Sequence, residues 1–176
     1  MRKVKLFIAM SVDGYIADKN GGVAFLQGHE DCLENESTYS EFIKKIDTVL
    51  MGWNTYNQII TELSPDNWVY DNLLTYVFTH REQQDSDKII FTSDNLEELI
   101  EKLKGVEGKD IWICGGADLV QQAISSDVID EYLISIIPTI LGNGIKLFSQ
   151  NDAEHKLKLI NTITNNGIVE LNYIRR

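Results

Sequence analysis

The chain alternates short apolar runs with longer stretches in which apolar residues recur every three to four positions. The runs at 5–10 and 48–51 end near Gly or Asp and are typical of buried parallel strands. Between them, apolar residues fall on one side of a helical wheel, which predicts a helix near residues 35–46. Those apolar residues are Leu33, Tyr39, Phe42, Ile43 and Ile46.

The same alternation continues as far as residue 137. A helix is predicted from Asn95 to Lys104, where Gly105 ends it, and another from about Ala117 to Ser125. The strands predicted in this part of the chain are 76–79, 88–91, 110–114 and 132–137. Alternating strands and helices are typical of an α/β fold with a mainly parallel central sheet.

The last segment has a different pattern. Residues 156–164 and 168–174 are β-prone and are joined by Asn165, Asn166 and Gly167, which accept a positive φ at little cost. We therefore expect the sheet to finish with a C-terminal antiparallel hairpin. No linker or repeat divides the sequence, so a single domain over residues 1–176 is predicted.

Composition and charge exclude several classes of function. With 43% hydrophobic residues and no apolar run near the ~20 needed to cross a bilayer, we expect a soluble, cytoplasmic protein without a membrane partner. The net charge of −11 argues against a nucleic-acid partner, because phosphate binding needs clustered Lys and Arg. The two cysteines and three histidines lack metal-site spacing, so no metal is predicted. A phosphate site would have to be built locally from backbone amides.

Three turns follow predicted strands and stand out as candidate ligand contacts. They are the glycine-containing segments 11–17, 51–56 and 113–120. Each alone resembles an ordinary surface turn, and Gly115-Gly116 is more often a tight turn than a phosphate site. Because ligands of open α/β sheets bind beyond the carboxyl ends of the strands, the three together favour one shared crevice.

The order of these motifs resembles the dihydrofolate reductase-like family. The motifs are Ser-x-Asp-Gly-Tyr-Ile-Ala at 11–17, Met-Gly-x-x-Thr-Tyr at 51–56, Thr-His-Arg at 79–81, Gly-Gly at 115–116 and Pro-x-x-Leu-Gly-x-Gly-x-x-Leu-Phe at 138–148. The resemblance is greatest to the branch related to the reductase domain of riboflavin biosynthesis, and it covers nearly the whole chain. It implies a three-layer α/β fold and a reductase that uses NADPH.

The resemblance also implies where the cofactor lies. Ala9 and Ile16 resemble residues that hold the nicotinamide carboxamide. The residues that resemble the pyrophosphate cradle are Cys114, Gly115, Gly116, Ala117, Asp118, Leu119, Val120 and Gln121. Those that resemble the grip on the phosphates, the adenosine and its 2′-phosphate are Gly52, Trp53, Asn54, Thr55, Thr79, His80 and Arg81. The family likeness further implies a cis or otherwise strained Gly115–Gly116 peptide.

Several positions depart from the family pattern. Trp53 stands where a cation is usual, so we expect weak discrimination between NADPH and NADH. Aligning Phe42 with the family's helical aromatic residue puts Thr38 at the position of the folate-binding acid, although a shifted register would offer Glu34, Glu36 or Glu41 instead. Cys114 replaces an acid of the riboflavin-pathway relatives. Ser135 resembles a hydroxyl residue of the pterin pocket, or is simply a small strand residue.

Two functional hypotheses from different classes remain. The first is hydride transfer from NADPH to a C=N carbon of a heterocyclic substrate, either a pterin or a ribosylaminopyrimidine. The second is a nucleotide-binding sensor that keeps the cofactor cleft without catalysis, which the missing acids favour. A homodimer is expected from the apolar segment 134–137 and the C-terminal hairpin.

Overall fold

The computed structural model describes residues 1–27, 38–149 and 153–176. Within these ranges the chain forms ten strands, four α-helices and a π-helical turn. In chain order they are β1 (Val4–Ser11), β2 (Tyr15–Ala17), α1 (Thr38–Ile43), β3 (Ile46–Gly52), α2 (Trp53–Gln58), the π-helical turn (Ile59–Leu63), β4 (Leu74–Phe78), β5 (Ile89–Thr92), α3 (Leu96–Lys104), β6 (Asp110–Gly115), α4 (Ala117–Ser125), β7 (Glu131–Ile137), β8 (Ile145–Lys146), β9 (Leu157–Asn165) and β10 (Ile168–Arg175).

Eight of the strands form one sheet in the order β5-β4-β3-β6-β1-β7-β10-β9. The first six strands in this order are parallel to one another. The strand β10 pairs antiparallel with both β7 and β9. The predicted mainly parallel sheet with a C-terminal antiparallel hairpin is confirmed. A separate antiparallel pair, β2 with β8, lies outside this sheet.

Helices cover the two faces of the sheet, which gives three layers. Alternate residues of β1 divide between the faces, because side chains of a strand point to opposite sides. Val4, Leu6 and Ile8 pack with residues of α3 and α4 in one core, while Phe7 packs with Phe42 of α1 in the other. The helix predicted from Asn95 to Lys104 is confirmed as α3, and Asn95 is its N-cap, since its side chain accepts hydrogen bonds from two amides of the first turn.

The predicted helix near 35–46 is only partly matched. Residues 35–37, like Leu33 and Glu34 before them, lie outside the described residues, and the described part, α1, ends at Ile43. The Lys45 amide donates to the Phe42 carbonyl, and Ile46 then starts β3 opposite Asp110. Placing Ile46 on the helical face was therefore wrong, because a buried β-branched residue satisfies a strand pattern equally well.

Three short elements were not predicted. The strands β2 and β8 have three and two residues, too few for an alternating pattern to be recognised. The π-helical turn continues α2 and closes with a bond from the Ser64 amide to the Ile59 carbonyl. No helix in the described ranges is long and apolar enough to span a membrane.

Candidate functional site

The turn between β6 and α4 is the most distinctive piece of backbone in the chain. The Gly115–Gly116 peptide is cis, which confirms the prediction for this bond. Gly115 has φ +137°, a conformation that L side chains rarely adopt, so glycine is required there. The hydrogen bonding of α4 begins with the Val120 amide donating to the Gly116 carbonyl at 3.1 Å, and the earlier amides have no acceptor within the helix. These amides can bind an anionic group.

The turn from β3 into α2 lies directly against the glycine pair. A Cβ atom built on Gly116 would lie 3.3 Å from Thr55 Oγ1, and one built on Gly52 would lie 3.8 Å from the Gly116 nitrogen. The two turns therefore leave little room for side chains between them. Gly52, Thr55, Gly115 and Gly116 come together as the sequence predicted, at the carboxyl edge of the parallel strands.

The third turn, after β1, is fixed by Asp13. Its Oδ1 atom accepts hydrogen bonds from the Ser11 hydroxyl at 2.6 Å and the Leu141 amide at 3.0 Å, and its Oδ2 atom accepts one from the Gly142 amide at 2.7 Å. The Ser11 hydroxyl, followed by the two amides, lowers the pKa of Asp13 to about 2. Sequence reasoning placed Asp13 in a motif but gave it no role; it ties the 11–17 turn to the 138–148 segment.

Ala9 and Ile16, the residues compared with nicotinamide contacts, flank this turn. Ala9 is half-buried in β1 beside Ser135 of β7, and Ile16 lies in β2 and packs on the main core. The pairing of β2 with β8 depends on Gly144, because a Cβ there would lie 2.1 Å from the Ala17 carbonyl oxygen. The close approach of these two segments sets the position of Ile16 relative to Ala9.

The residues compared with adenosine contacts lie beyond β4. Thr79 is half-buried, while His80 and Arg81 are exposed. The Arg81 guanidinium carbon stands 5.1 Å from the centre of the Trp53 ring, within cation–π range. Asn54, next to Trp53, is exposed on α2. Trp53, which stands where a cation was expected, therefore has the guanidinium of Arg81 over its ring.

The remaining cradle residues of α4 do not all face one way. Leu119 and Val120 have their side chains in the core, so only their backbone is available to a ligand. Asp118 is exposed, Ala117 is half-buried, and the Gln121 side chain accepts a hydrogen bond from the Ser149 amide at 3.3 Å. The backbone of the first turn, rather than the side chains beyond it, is the part that suits a pyrophosphate.

A cleft of about 170 Å³ lies on the α1 face of the sheet. It is lined by all three substrate-pocket candidates, Thr38, Phe42 and Ser135. Phe42 stacks on Phe7 with ring centres 4.5 Å apart and meets Trp112 edge-on at 5.5 Å, so its ring is held firmly. The cleft thus combines a rigid aromatic wall with two hydroxyl groups.

Cys114 stands where the family resemblance led us to expect an acid, but its thiol cannot take over the role of a carboxylate. Burial raises the pKa of its thiol to about 12, so the side chain is neutral at physiological pH. Its sulfur lies 3.9 Å from the Tyr70 hydroxyl, whose own pKa is raised mainly by burial. Cys114 is therefore a neutral side chain that packs, like Tyr70, against the core on the α1 face.

Sequence reasoning missed the contribution of the C-terminal hairpin to this cleft. Glu170 and Asn172 of β10 line it together with Asn161 of β9. Their spacing of two residues on a predicted strand puts Glu170 and Asn172 on one face, but the sequence did not show which face or which neighbour. In the described ranges, no three His, Cys, Asp or Glu residues are grouped so as to hold a metal ion.

Comparison with known proteins gives agreeing results for the family model, for sequence relatives and for solved structures. Residues 2–168 match the model of the RibD C-terminal domain. The chain is 37% identical over 177 residues to the uncharacterized protein YwjB of Bacillus subtilis, covering 99% of this chain and 98% of that one. A crystal structure of a riboflavin biosynthesis protein, described as putative, from Shewanella sp. PV-4 superposes with a TM-score of 0.86 at 26% identity and covers 99% of each chain.

Two further solved structures share the fold at lower identity. One is the Thermotoga maritima diaminohydroxyphosphoribosylaminopyrimidine deaminase/5-amino-6-(5-phosphoribosylamino)uracil reductase, with a TM-score of 0.72 and 15% identity over 99% of this chain and 57% of that one. The other is dihydrofolate reductase from Enterococcus faecalis, with a TM-score of 0.67 and 16% identity over 98% of this chain and 96% of that one. The dihydrofolate reductase-like fold is thereby confirmed.

Proposed function

We propose that this chain, which belongs to the family of RibD C-terminal domains, is an NADPH-dependent reductase of a pterin or ribosylaminopyrimidine substrate. The observation that carries the proposal is the meeting of the Gly52–Thr55 and Gly115–Gly116 turns. A cleft lined by Thr38, Phe42 and Ser135 lies on the α1 face, and its Ser135 is opposite Ala9 in the register of the sheet. A dinucleotide and a flat heterocycle can then lie side by side along one edge of the sheet. The names of the two structural neighbours support the same chemistry, since one includes a 5-amino-6-(5-phosphoribosylamino)uracil reductase and the other is a dihydrofolate reductase complexed with NADP(H).

The residues present fit such a cofactor. The amides at the start of α4 suit its pyrophosphate, the Trp53–Arg81 pair suits its adenosine 2′-phosphate, and the backbone at Ala9 and Ile16 suits its carboxamide. When bound, the cofactor would supply a hydride to a C=N carbon of the substrate, and the substrate nitrogen would take a proton from water or a nearby side chain. The chain's own part is to align the two molecules and to keep water away from the reacting carbon.

The proposal is tested by a charge introduced at the pyrophosphate position. Ala117→Glu puts a carboxylate among the first amides of α4, so we expect NADPH binding to weaken by more than a hundredfold while the thermal stability changes little. Binding is measured by quenching of tryptophan fluorescence. The matched control is Ala117→Gln, which has the same size without the charge and should retain most of the affinity. Equal affinity of Ala117→Glu and Ala117→Gln would contradict the cradle assignment.

A nucleotide-binding sensor is the second candidate, because Thr38 and Cys114 occupy positions where related enzymes carry acids. Consumption of NADPH with a panel of heterocyclic substrates separates an enzyme from a sensor. We expect dihydrofolate to be a poor substrate, since general acid help is typically worth 10²–10⁴-fold and Thr38 cannot donate a proton as a carboxylic acid does. Turnover of dihydrofolate near the enzyme median of ~10 s⁻¹ would show that an acid is present.

A further inference from the structure

The strand β10 brings a carboxylate to the cleft at the level of the predicted nicotinamide contact. In the register of the sheet, Ala9 of β1 is opposite Ser135 of β7, and Ser135 is opposite Glu170 of β10. Paired residues of neighbouring strands have side chains on the same face. Ala9, Ser135 and Glu170 therefore form a row across the α1 face, and both Ser135 and Glu170 line the cleft.

The spacing of the row suits a single-ring or two-ring heterocycle. Neighbouring strands lie about 4.8 Å apart, so the Glu170 Cα is roughly 10 Å from the Ala9 Cα. A heterocycle whose reacting carbon lies near Ala9 would reach across Ser135 with its far edge towards Glu170. The Phe42 ring, stacked on Phe7, forms part of the wall of this space.

Glu170 differs from the other carboxylates of the cleft in making no ion pair among the described residues, although Lys5 and Lys45 also line the cleft. Glu131 is within 3.0 Å of Lys5 and 2.6 Å of Lys3, and Glu41 is 2.5 Å from Lys44. Glu170 is half-buried and makes neither an ion pair nor a side-chain hydrogen bond within the described ranges. A half-buried carboxylate without a partner gains most from a ligand that donates hydrogen bonds to it.

Asn172 adds a second acceptor on the same face of β10. Its Oδ1 atom is buried and has no hydrogen-bond partner among the described residues. A buried acceptor left unpaired is costly, so a donor supplied by a ligand would bind there favourably. Glu170 and Asn172 together present acceptors, which match a ligand edge made of ring N–H and exocyclic amino groups.

We infer that Glu170 is the carboxylate that recognises the substrate, and that the edge it binds is the N–H and amino edge of an aminopyrimidine ring, assisted by Asn172 Oδ1. This inference rests on the proposed function and deepens it. The carboxylate absent at Thr38 of α1 is thus supplied from the opposite wall, by the hairpin. Glu170 binds and orients the heterocycle; the position of its reacting carbon near Ala9 follows from that anchoring.

The test measures binding of 2,4-diaminopyrimidine by calorimetry, without cofactor; protonation of a ring nitrogen gives this probe a ring N–H beside an amino group. Glu170→Gln keeps the size of the side chain but removes its charge, and we expect the probe to bind about tenfold to a hundredfold more weakly. Glu170→Asp, which retains the charge on a shorter side chain, should recover part of the affinity. Glu107→Gln removes an exposed carboxylate that lies outside the cleft, and we expect unchanged affinity. Uracil keeps ring N–H groups but has carbonyl groups in place of the amino groups, so it should lose less affinity than the diaminopyrimidine in Glu170→Gln.

Three results would overturn the inference: no saturable binding of the diaminopyrimidine by the wild type, equal affinities of wild type and Glu170→Gln, or an equal loss in Glu107→Gln. Thermal melting and NADPH titration of each variant report separately on folding and on the cofactor site. Failure of the wild type to bind NADPH would count against the proposed function alone, because the probe experiment does not depend on the cofactor.

Discussion

Trp53 follows Gly52 at a position where the family resemblance led us to expect a cation, but the ring of Trp53 holds the cation of Arg81 instead. The indole ring holds the guanidinium at 5.1 Å, and the Thr79 hydroxyl accepts a hydrogen bond from the Arg81 amide at 3.0 Å. Within the described residues Arg81 has no carboxylate partner, so its charge stays available. One oriented arginine can recognise a 2′-phosphate, although its exposure limits the strength of that interaction.

The first prediction at this scale concerns cofactor preference. Arg81→Gln should weaken NADPH binding about tenfold and leave NADH binding unchanged, because only NADPH carries the 2′-phosphate. Titration of both cofactors into wild type and variant gives the comparison, with NADH as the matched control. A wild-type preference for NADPH of about a thousandfold, or ~4 kcal/mol, would mean that a further cation takes part. An equal loss for both cofactors would mean that Arg81 acts on the fold of the 79–81 segment instead.

At the scale of elements, Asp13 joins two loops that carry much of the candidate site. Two backbone hydrogen bonds add to those of the Asp13 side chain. The Val12 amide donates to the Thr139 carbonyl at 2.9 Å, and the Leu147 amide donates to the Gly14 carbonyl at 2.9 Å. The turn after β1 and the segment after β7 are therefore held together by several hydrogen bonds. Since Ile16 follows this turn, the position of the predicted nicotinamide contact depends on a carboxylate that need not touch the cofactor.

This arrangement predicts how the stability contributed by Asp13 depends on pH. The folded-state pKa of Asp13 is lowered from 3.8 to about 2, so the stabilisation is complete above the unfolded-state value and is lost as the pH falls through about 2. The difference in unfolding free energy between wild type and Asp13→Asn should be constant from about pH 7 to about pH 5 and shrink below about pH 4. Denaturant titrations at each pH measure it, with the exposed Asp71→Asn as control. A difference that already shrinks between pH 7 and pH 5 would contradict the assignment.

The elements that could be predicted from sequence are those whose pattern is local. The apolar run of β1, the Asn95 cap of α3 and the Asn-Gly turn of the hairpin each depend on neighbouring residues only. The end of α1 could not be predicted in the same way, because Ile46 suits a helical face and a strand equally well and only its pairing with Asp110 decides. At such positions, tertiary contacts rather than helix or strand propensity determine the secondary structure.

At the scale of the whole molecule, the same distinction separates the two halves of the candidate site. The three turns were predictable, since the carboxyl ends of parallel strands meet at one edge whatever the strand order. Glu170 and Asn172 were not, because their position depends on the register between β7 and β10, and a shift by one residue would turn both to the opposite face. The turns proposed to hold the cofactor and the cleft residues Thr38, Phe42 and Ser135 were therefore predictable from the sequence, whereas the contribution of the hairpin required the structure.

The sheet order also corrects one of the reasons for expecting a homodimer. The segment 134–137 lies in β7 between β1 and β10, and Ile134 and Ile137 are 5% and 2% exposed. It is part of the core and cannot present an edge to a second chain. The other reason remains, because β9 is the terminal strand of the sheet, and Leu159, Ile160 and Ile163 on it are 40–50% exposed.

We predict that a second copy of the chain covers β9. An edge strand of nine residues with exposed apolar side chains favours self-association unless it is protected. The irregular pairing of β9 with β10 near Ile160 disfavours continuous edge-to-edge pairing, so we expect contact through the side chains. Light scattering at micromolar concentration should give the mass of two chains for wild type and of one chain for Ile160→Lys. Ile140→Lys, which changes an equally apolar residue that is 74% exposed in a loop, should remain a dimer. A wild-type mass of one chain, or dissociation of both variants, would contradict an interface at β9.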